Sequence, residues 1–260
     1  GIAADGLVNP FPQAVTAQMV YNFLQGGAAI NVFSRLHHLN LVVVDAGVNH
    51  NFPKHELLRD RKIAMGTQNF LHIPPKTDIF GTGEMGIGNT SAASLLMSHF
   101  TKMPVAACTG AGTGSNIQQL TQKKAILQEV MNKHATPATA EQALATFGGF
   151  EIAMICGAIL EAAALKMVIV IDGFIVTSAL LVAQAMQPAV KDYCVYAHCS
   201  EEQGHKTMLE FLQVKPLLQL DMRLGEGTGA ALSVPLLQSA TAFLHEMASF
   251  NSAQISNRTI

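Results

Sequence analysis

Charge is scarce in this chain: 13% of its 260 residues are Asp, Glu, Lys or Arg, and 16 basic side chains nearly cancel 18 acidic ones, leaving a net charge of -2. With no polybasic run, there is no electrostatic footprint for nucleic acid or an anionic membrane, and neither is expected as a partner. Long apolar runs are missing too. The two longest charge-free stretches, residues 173–190 and 227–244, each carry Gln, Ser, Thr and a proline, so they fall short of the roughly 20 apolar residues that span a bilayer. Buried helices are expected there. Cysteine is sparse: Cys108, Cys156, Cys194 and Cys199 form no C-x-x-C pair, which argues against a disulfide framework and for a reducing, cytoplasmic setting. The group His198, Cys199 and His205 lacks a recognisable zinc-site spacing, and no metal is expected. The opening residues Gly1-Ile2-Ala3-Ala4-Asp5 lack the basic and apolar regions of a signal peptide, so secretion is not expected.

Hydrophobic residues, by contrast, make up 49% of the chain, enough to bury a large core. Short β-branched runs alternate with longer helical stretches, the pattern of a parallel sheet covered by helices. Strands are predicted at residues 41–44, 79–80, 167–171 and 194–197, and a helix over residues 15–37. Thr139-x-x-Gln142 reads as a capping box opening a helix that stops at Gly148-Gly149. A last long helix is predicted from about Ala230 to Phe250. No repeat or flexible linker divides residues 1–260, so a single α/β domain is expected. Polar punctuation gathers after the strands, where ligands of open α/β sheets bind.

Four motifs carry chemistry. Gly81-Thr82-Gly83-Glu84-Met85-Gly86-Ile87-Gly88-Asn89-Thr90 joins an apolar strand to a helix, and its glycines let backbone N–H groups approach an anion at the helix N-terminus. The embedded G-x-G-x-x-G spacing serves equally a dinucleotide fold or a tight turn without a ligand. Thr109-Gly110-Ala111-Gly112-Thr113-Gly114-Ser115, followed by Lys123-Lys124, reads as a second anion nest with a lysine in reach, or as a plain loop before a solvated helix. Arg223-Leu224-Gly225-Glu226-Gly227-Thr228-Gly229 places a carboxylate between two glycines. In an apolar pocket that group would hold a raised pKa and accept a proton near neutrality; a surface Glu in a capping turn is the plainer reading. Asp172-Gly173, ending a buried strand, suits sugar hydroxyls or a helix N-cap. Ser200-Glu201 with His198 follows the next strand and fits either role.

Taken together, these strings resemble the nicotinate-nucleotide:dimethylbenzimidazole phosphoribosyltransferases. Gln13-Ala-Val-Thr-Ala-Gln-Met, Gly26-Gly27-Ala-Ala-Ile-Asn, Val44-Asp45-Ala46-Gly47-Val48, Gly83-Glu84-Met85-Gly86-Ile87-Gly88-Asn89-Thr90, Asp172-Gly173-Phe174 and Arg223 through Leu232 occur in that family's order. The resemblance implies a Rossmann-like parallel sheet covered by helices, usually in a homodimer, with a small helical domain that this chain would largely lack. It implies transfer of a ribosyl phosphate from nicotinate mononucleotide to 5,6-dimethylbenzimidazole in cobalamin lower-ligand assembly, with no cofactor. By motif, Glu226 matches the general base and Glu84 the second acidic signature. Gly86, Gly112 and Lys123 match phosphate contacts, Asp172 and Ser200 nucleotide contacts, and Ile87, Leu224 and Gly225 the benzimidazole pocket. The family also has a leading segment before the position of Gly1, and a helix of roughly twenty residues, about 30 Å long, between Leu71 and Asp78. Only six residues separate those two here, fewer than the dozen or so of a parallel crossover, so a segment is expected to be missing at that point.

Two other readings compete. An NAD-dependent dehydrogenase would use the Gly81 turn, but no acidic residue follows at the expected distance, and hydride transfer gives Glu226 no task. A shortened relative that binds nucleotide or benzimidazole without turnover would keep the pocket alone.

Overall fold

Three short apolar runs become three strands in a computed structural model, which describes residues 14–44, 77–112 and 114–256. Of the string that opens at Gln13, that residue alone lies outside them, whereas the string Val44–Val48 and the connection from Leu71 to Asp78 lie largely outside. Strands β1 (Ile79–Gly81), β2 (Val168–Ile171) and β3 (Cys194–Tyr196) form a sheet in the order β1-β2-β3. Both pairings are parallel, with Phe80 opposite Ile169 and Val170 opposite Val195. In the central strand Ile169, Val170 and Ile171 are all buried, as expected of a strand covered on both faces. Beyond β3 the ladder continues: Leu217 N–H donates to the Tyr196 carbonyl at 2.8 Å, and Leu218 N–H to that of Ala197 at 2.9 Å.

Helices α1 (Ala14–Leu24) and α2 (Ala29–Leu36) precede the sheet; α3 (Asn89–Thr101), α4 (Val105–Cys108), α5 (Ile117–Lys133), α6 (Ala140–Phe147) and α7 (Phe150–Ala164) lie between β1 and β2. Helix α8 (Phe174–Met186) and a 3-10 turn (Pro188–Tyr193) link β2 to β3, and α9 (His205–Phe211) and α10 (Thr228–Glu246) follow. Every residue from Phe174 to Ala183 is buried, the mark of a helix enclosed on all sides. The charge-free stretch that begins at Gly173 is therefore core, where Leu180 packs with Leu96, Ile159 and Ile171. Among the described residues, no helix is long and apolar enough to cross a membrane.

Several expectations need correction. Residues 41–44 join no strand pairing among the described residues, and Leu41, Val42, Val43 and Val44 are 37–55% exposed rather than buried. Their β-branched side chains supply propensity, but a strand exists only against a neighbour. The helix expected over residues 15–37 is two helices. Gly26 takes φ +78, which ends α1 in the left-handed manner that glycine permits, and Gly27 N–H closes the end on the Asn22 carbonyl at 3.0 Å. Asn31 then ties the pair together, accepting from Ala28 N–H and donating to the Phe23 carbonyl, each at 3.0 Å. At α6, Thr139 caps Gln142 N–H at 3.2 Å, whereas the Gln142 side chain reaches back one residue further than a capping box, to Ala138 N–H at 2.9 Å. The last helix starts two residues early and ends at Glu246.

Candidate active site

The carboxyl ends of the strands open onto one edge, and each contributes a polar group. After β1 the chain runs through Gly83 and Glu84 to Gly88, whose φ of +92 turns it into α3. Glu84 accepts a hydrogen bond from the Asn89 side chain at the start of that helix. A side chain at Gly86 would push on two polar neighbours: a Cβ there would sit 2.9 Å from Asn89 Nδ2 and 3.3 Å from Glu151 Oε1.

The Glu226 loop arrives from the other side. Residues 217–222 run beside residues 196–201, with Glu201 N–H donating to the Met222 carbonyl at 3.1 Å, and deliver residues 223–229 to the strand ends. Glu226 and Gly227 both adopt left-handed backbone, φ +71 and +81. Positive φ at a residue other than glycine is uncommon and costs energy. The two loops touch through bare backbone: a Cβ on Gly83 would lie 2.2 Å from the Gly227 nitrogen.

A cleft of about 250 Å³ lies between them, and Glu84, Gly86, Ile87, Gly112, Lys123, Leu224, Gly225 and Glu226 all line it. Eight of the ten residues singled out in the sequence thus share one cavity. The other two, Asp172 and Ser200, stand behind it. Asp172 is 3% exposed and accepts from Ala230 N–H at 2.9 Å and Gly227 N–H at 3.2 Å. Ser200 N–H donates to His205 Nδ1 at 2.9 Å, so the His205 proton sits on Nε2, which faces Thr177 Oγ1 at 3.0 Å. With both nitrogens engaged, His205 is held neutral, and burial pushes it down to about 3.

The carboxylates differ in electrostatics. Burial, then the negative charge of Glu151, pushes Glu84 up to about 8, against the lowering effect of Asn89. Burial also raises Glu226. Burial lifts Asp172 to about 6, opposed by the N–H groups it accepts from. Near neutral pH, Glu84 therefore holds its proton. Lys123, 5% exposed, donates to Thr90 Oγ1 at 2.7 Å. It stands close to Gly112, whose N–H meets the Glu202 carboxylate.

Sequence reading missed Glu151 and Glu202, and weighed His205 only as part of a metal group. Glu151 had a signal, an acid in the first turn of a helix that carries no further charge before Glu161; Glu202 and His205 acquire their roles only through contacts across the fold.

A parallel sheet that brings two glycine-rich turns, a buried lysine and paired carboxyl groups to one cleft suits a phosphorylated small-molecule substrate. The chain belongs to a phosphoribosyltransferase family: the family model described as Phosphoribosyltransferase matches residues 1–75 and 72–255. It is 50% identical over 282 residues to the nicotinate-nucleotide--dimethylbenzimidazole phosphoribosyltransferase of Janthinobacterium sp. (strain Marseille), a match covering 99% of this chain and 81% of that protein. The protein of the same name from Cupriavidus necator is 50% identical over 276 residues, covering 97% and 80%. The crystal structure of CobT from Thermus thermophilus superposes with a TM-score of 0.91 at 35% identity, over 99% of this chain and 84% of that one.

Proposed function

We propose that the chain transfers a ribosyl phosphate from nicotinate mononucleotide to 5,6-dimethylbenzimidazole, releasing nicotinate and forming α-ribazole phosphate. The observation that carries this reading is the joint placement of Glu84, Glu226 and Lys123 on one cleft. Lys123 and the N–H groups around Gly86 and Gly112 bind the phosphate, with the α3 N-terminus adding its dipole. Ile87, Leu224 and Gly225 form the wall against which the benzimidazole lies. Ser200 stands behind the cleft lining, and we assign it to the nucleotide through its hydroxyl alone: His205 Nδ1 offers one lone pair to two Ser200 donors, the N–H and the hydroxyl, each at 2.9 Å. The hydroxyl thus keeps capacity for a ligand.

The chemistry follows from the leaving group. Nicotinate departs from a cationic pyridinium as a neutral ring nitrogen that keeps the electron pair of the broken C–N bond, so departure needs no strong acid. One benzimidazole nitrogen forms the new bond to the ribose carbon while the other loses its proton to Glu226. Attack opposite the leaving group inverts the β-linkage to α. Burial holds Glu84 in its protonated form; the pyridinium cation lowers its pKa, the proton leaves to solvent as the nucleotide binds, and the resulting carboxylate faces the positive charge that builds on the sugar. Two carboxyl groups with different proton affinities thus divide the work.

The test is incubation with nicotinate mononucleotide and dimethylbenzimidazole while nicotinate release and riboside formation are followed. One nicotinate per α-ribazole phosphate supports the reading; binding of both substrates without turnover overturns it in favour of a binder. We further propose a homodimer. The outer half of α10 and the residues after it expose Leu236, Phe243, Leu244, Met247 and Phe250, and Leu236 and Phe243, seven residues apart within α10, share one helical face. Light scattering at twice the chain mass supports this. The four cysteines are free thiols, which fits a reducing, cytoplasmic setting.

A further inference from the structure

Helix α10 opens without a capping side chain of its own, because its N-cap residue is Gly227. The first N–H groups of any helix lack intrahelical partners, and a buried helix start must find them elsewhere. Here the partner comes from β2. Asp172 Oδ1 accepts from Ala230 N–H at 2.9 Å, and Oδ2 from Gly227 N–H at 3.2 Å. A carboxylate at this point is an N-cap supplied from 55 residues away, favoured also by the helix dipole.

The surroundings are shaped around that contact. A Cβ on Gly229 would lie 2.8 Å from Asp172 Oδ1 and 2.0 Å from His198 Nδ1, so only glycine lets the backbone come this close. Asp172 is 3% exposed and is not among the residues lining the cleft. What it holds is the residue next to Glu226, in a loop whose left-handed backbone at Glu226 is unfavourable for a glutamate. Something outside the loop has to fix that conformation.

We propose that Asp172 is a positioning residue for Glu226: it holds the base in the cleft by anchoring Gly227 and Ala230, and does not touch the nucleotide. The inference rests on Glu226 acting as the base in the reaction proposed above. It assigns Asp172 a different task from the sugar or nucleotide contact that its place at a strand end suggests. The titratable groups facing Asp172 are His198, 3.7 Å away after β3, and Glu84 across the β1 turn.

The test is the steady-state kinetics of Asp172→Asn, Glu226→Gln and the double variant. Asparagine keeps one acceptor but turns an amide N–H toward the other backbone donor. Expected is a fall in kcat of roughly 10- to 100-fold, equivalent to about 1.4–2.7 kcal/mol of lost transition-state stabilisation, with KM for nicotinate mononucleotide within about twofold of the parent. On the Glu226→Gln background the same change should add little, because the two residues act through one group. A rise in KM with kcat unchanged would show that Asp172 touches the nucleotide. Losses that multiply in the double variant would reduce Asp172 to a stability role. Either result overturns the inference while leaving the transferase reading intact; an inactive parental chain instead sinks that reading and this inference with it. Should Asp172→Asn fail to give a cooperative melt, Asp172→Ser, which keeps a small capping oxygen, replaces it in the same cycle.

Discussion

Gly83 and Gly227 meet backbone to backbone: a Cβ on Gly83 would lie 2.2 Å from the Gly227 nitrogen and 2.4 Å from the Glu226 carbonyl carbon. Neither atom can move aside as a side chain would, so this contact fixes the spacing of the two acidic loops. Gly83→Ala is expected to cost about 1–3 kcal/mol, in the manner of overpacking, and to abolish most nicotinate release. Urea unfolding read beside the activity assay checks both effects.

Glu84 gives a pH signature. Its folded-state pKa stands at about 8, raised from 4.5, so its protonated form is the one the fold favours. The associated stability is present below pH 4.5 and is lost as pH rises through about 8. Glu84→Gln mimics the neutral acid at every pH. Calorimetric melts should therefore show the variant gaining on the parent as pH rises across that window; a constant difference would mean that the carboxyl is solvated.

Lys123→Met keeps the length of a buried side chain and removes its charge. If the ammonium binds phosphate, nicotinate mononucleotide affinity should fall about tenfold to a hundredfold, the worth of a hydrogen bond to a charged group. Titration calorimetry reads this directly, and kcat at saturation should change far less.

Glu202 sets a countercharge behind the same cradle, its carboxylate meeting Gly112 N–H and feeling the charges of Lys123 and Arg223. An anion there opposes the entry of another. Glu202→Gln should bind inorganic phosphate a few times more tightly, measured by calorimetry. Weaker binding would show that the carboxylate chiefly orders the turn.

The sheet was legible wherever a short apolar run was followed by glycine, aspartate or serine, as at Phe80, Ile169 and Val195. Residues 41–44 have the same composition, yet take no place in a pairing, because composition reports propensity and pairing depends on a distant neighbour. The break at Gly26 was readable in principle from two adjacent glycines, but apolar periodicity continues across it and hid the turn. The lining of the cleft followed from the motifs, since glycines beside acids mark loops where backbone must come close. The way Asp172 spends its carboxylate did not: its partners Gly227 and Ala230 lie 55 and 58 residues away, and spacing carries no information about such contacts. Glu202 and His205 stayed hidden for the same reason.

The most direct measurement is the rate of nicotinate release by Glu226→Gln at saturating nicotinate mononucleotide and dimethylbenzimidazole. Removal of a general base is expected to lower turnover about 100-fold or more, with nucleotide affinity nearly unchanged. Turnover at the parental rate would contradict the assignment of Glu226 as the group that takes the benzimidazole proton.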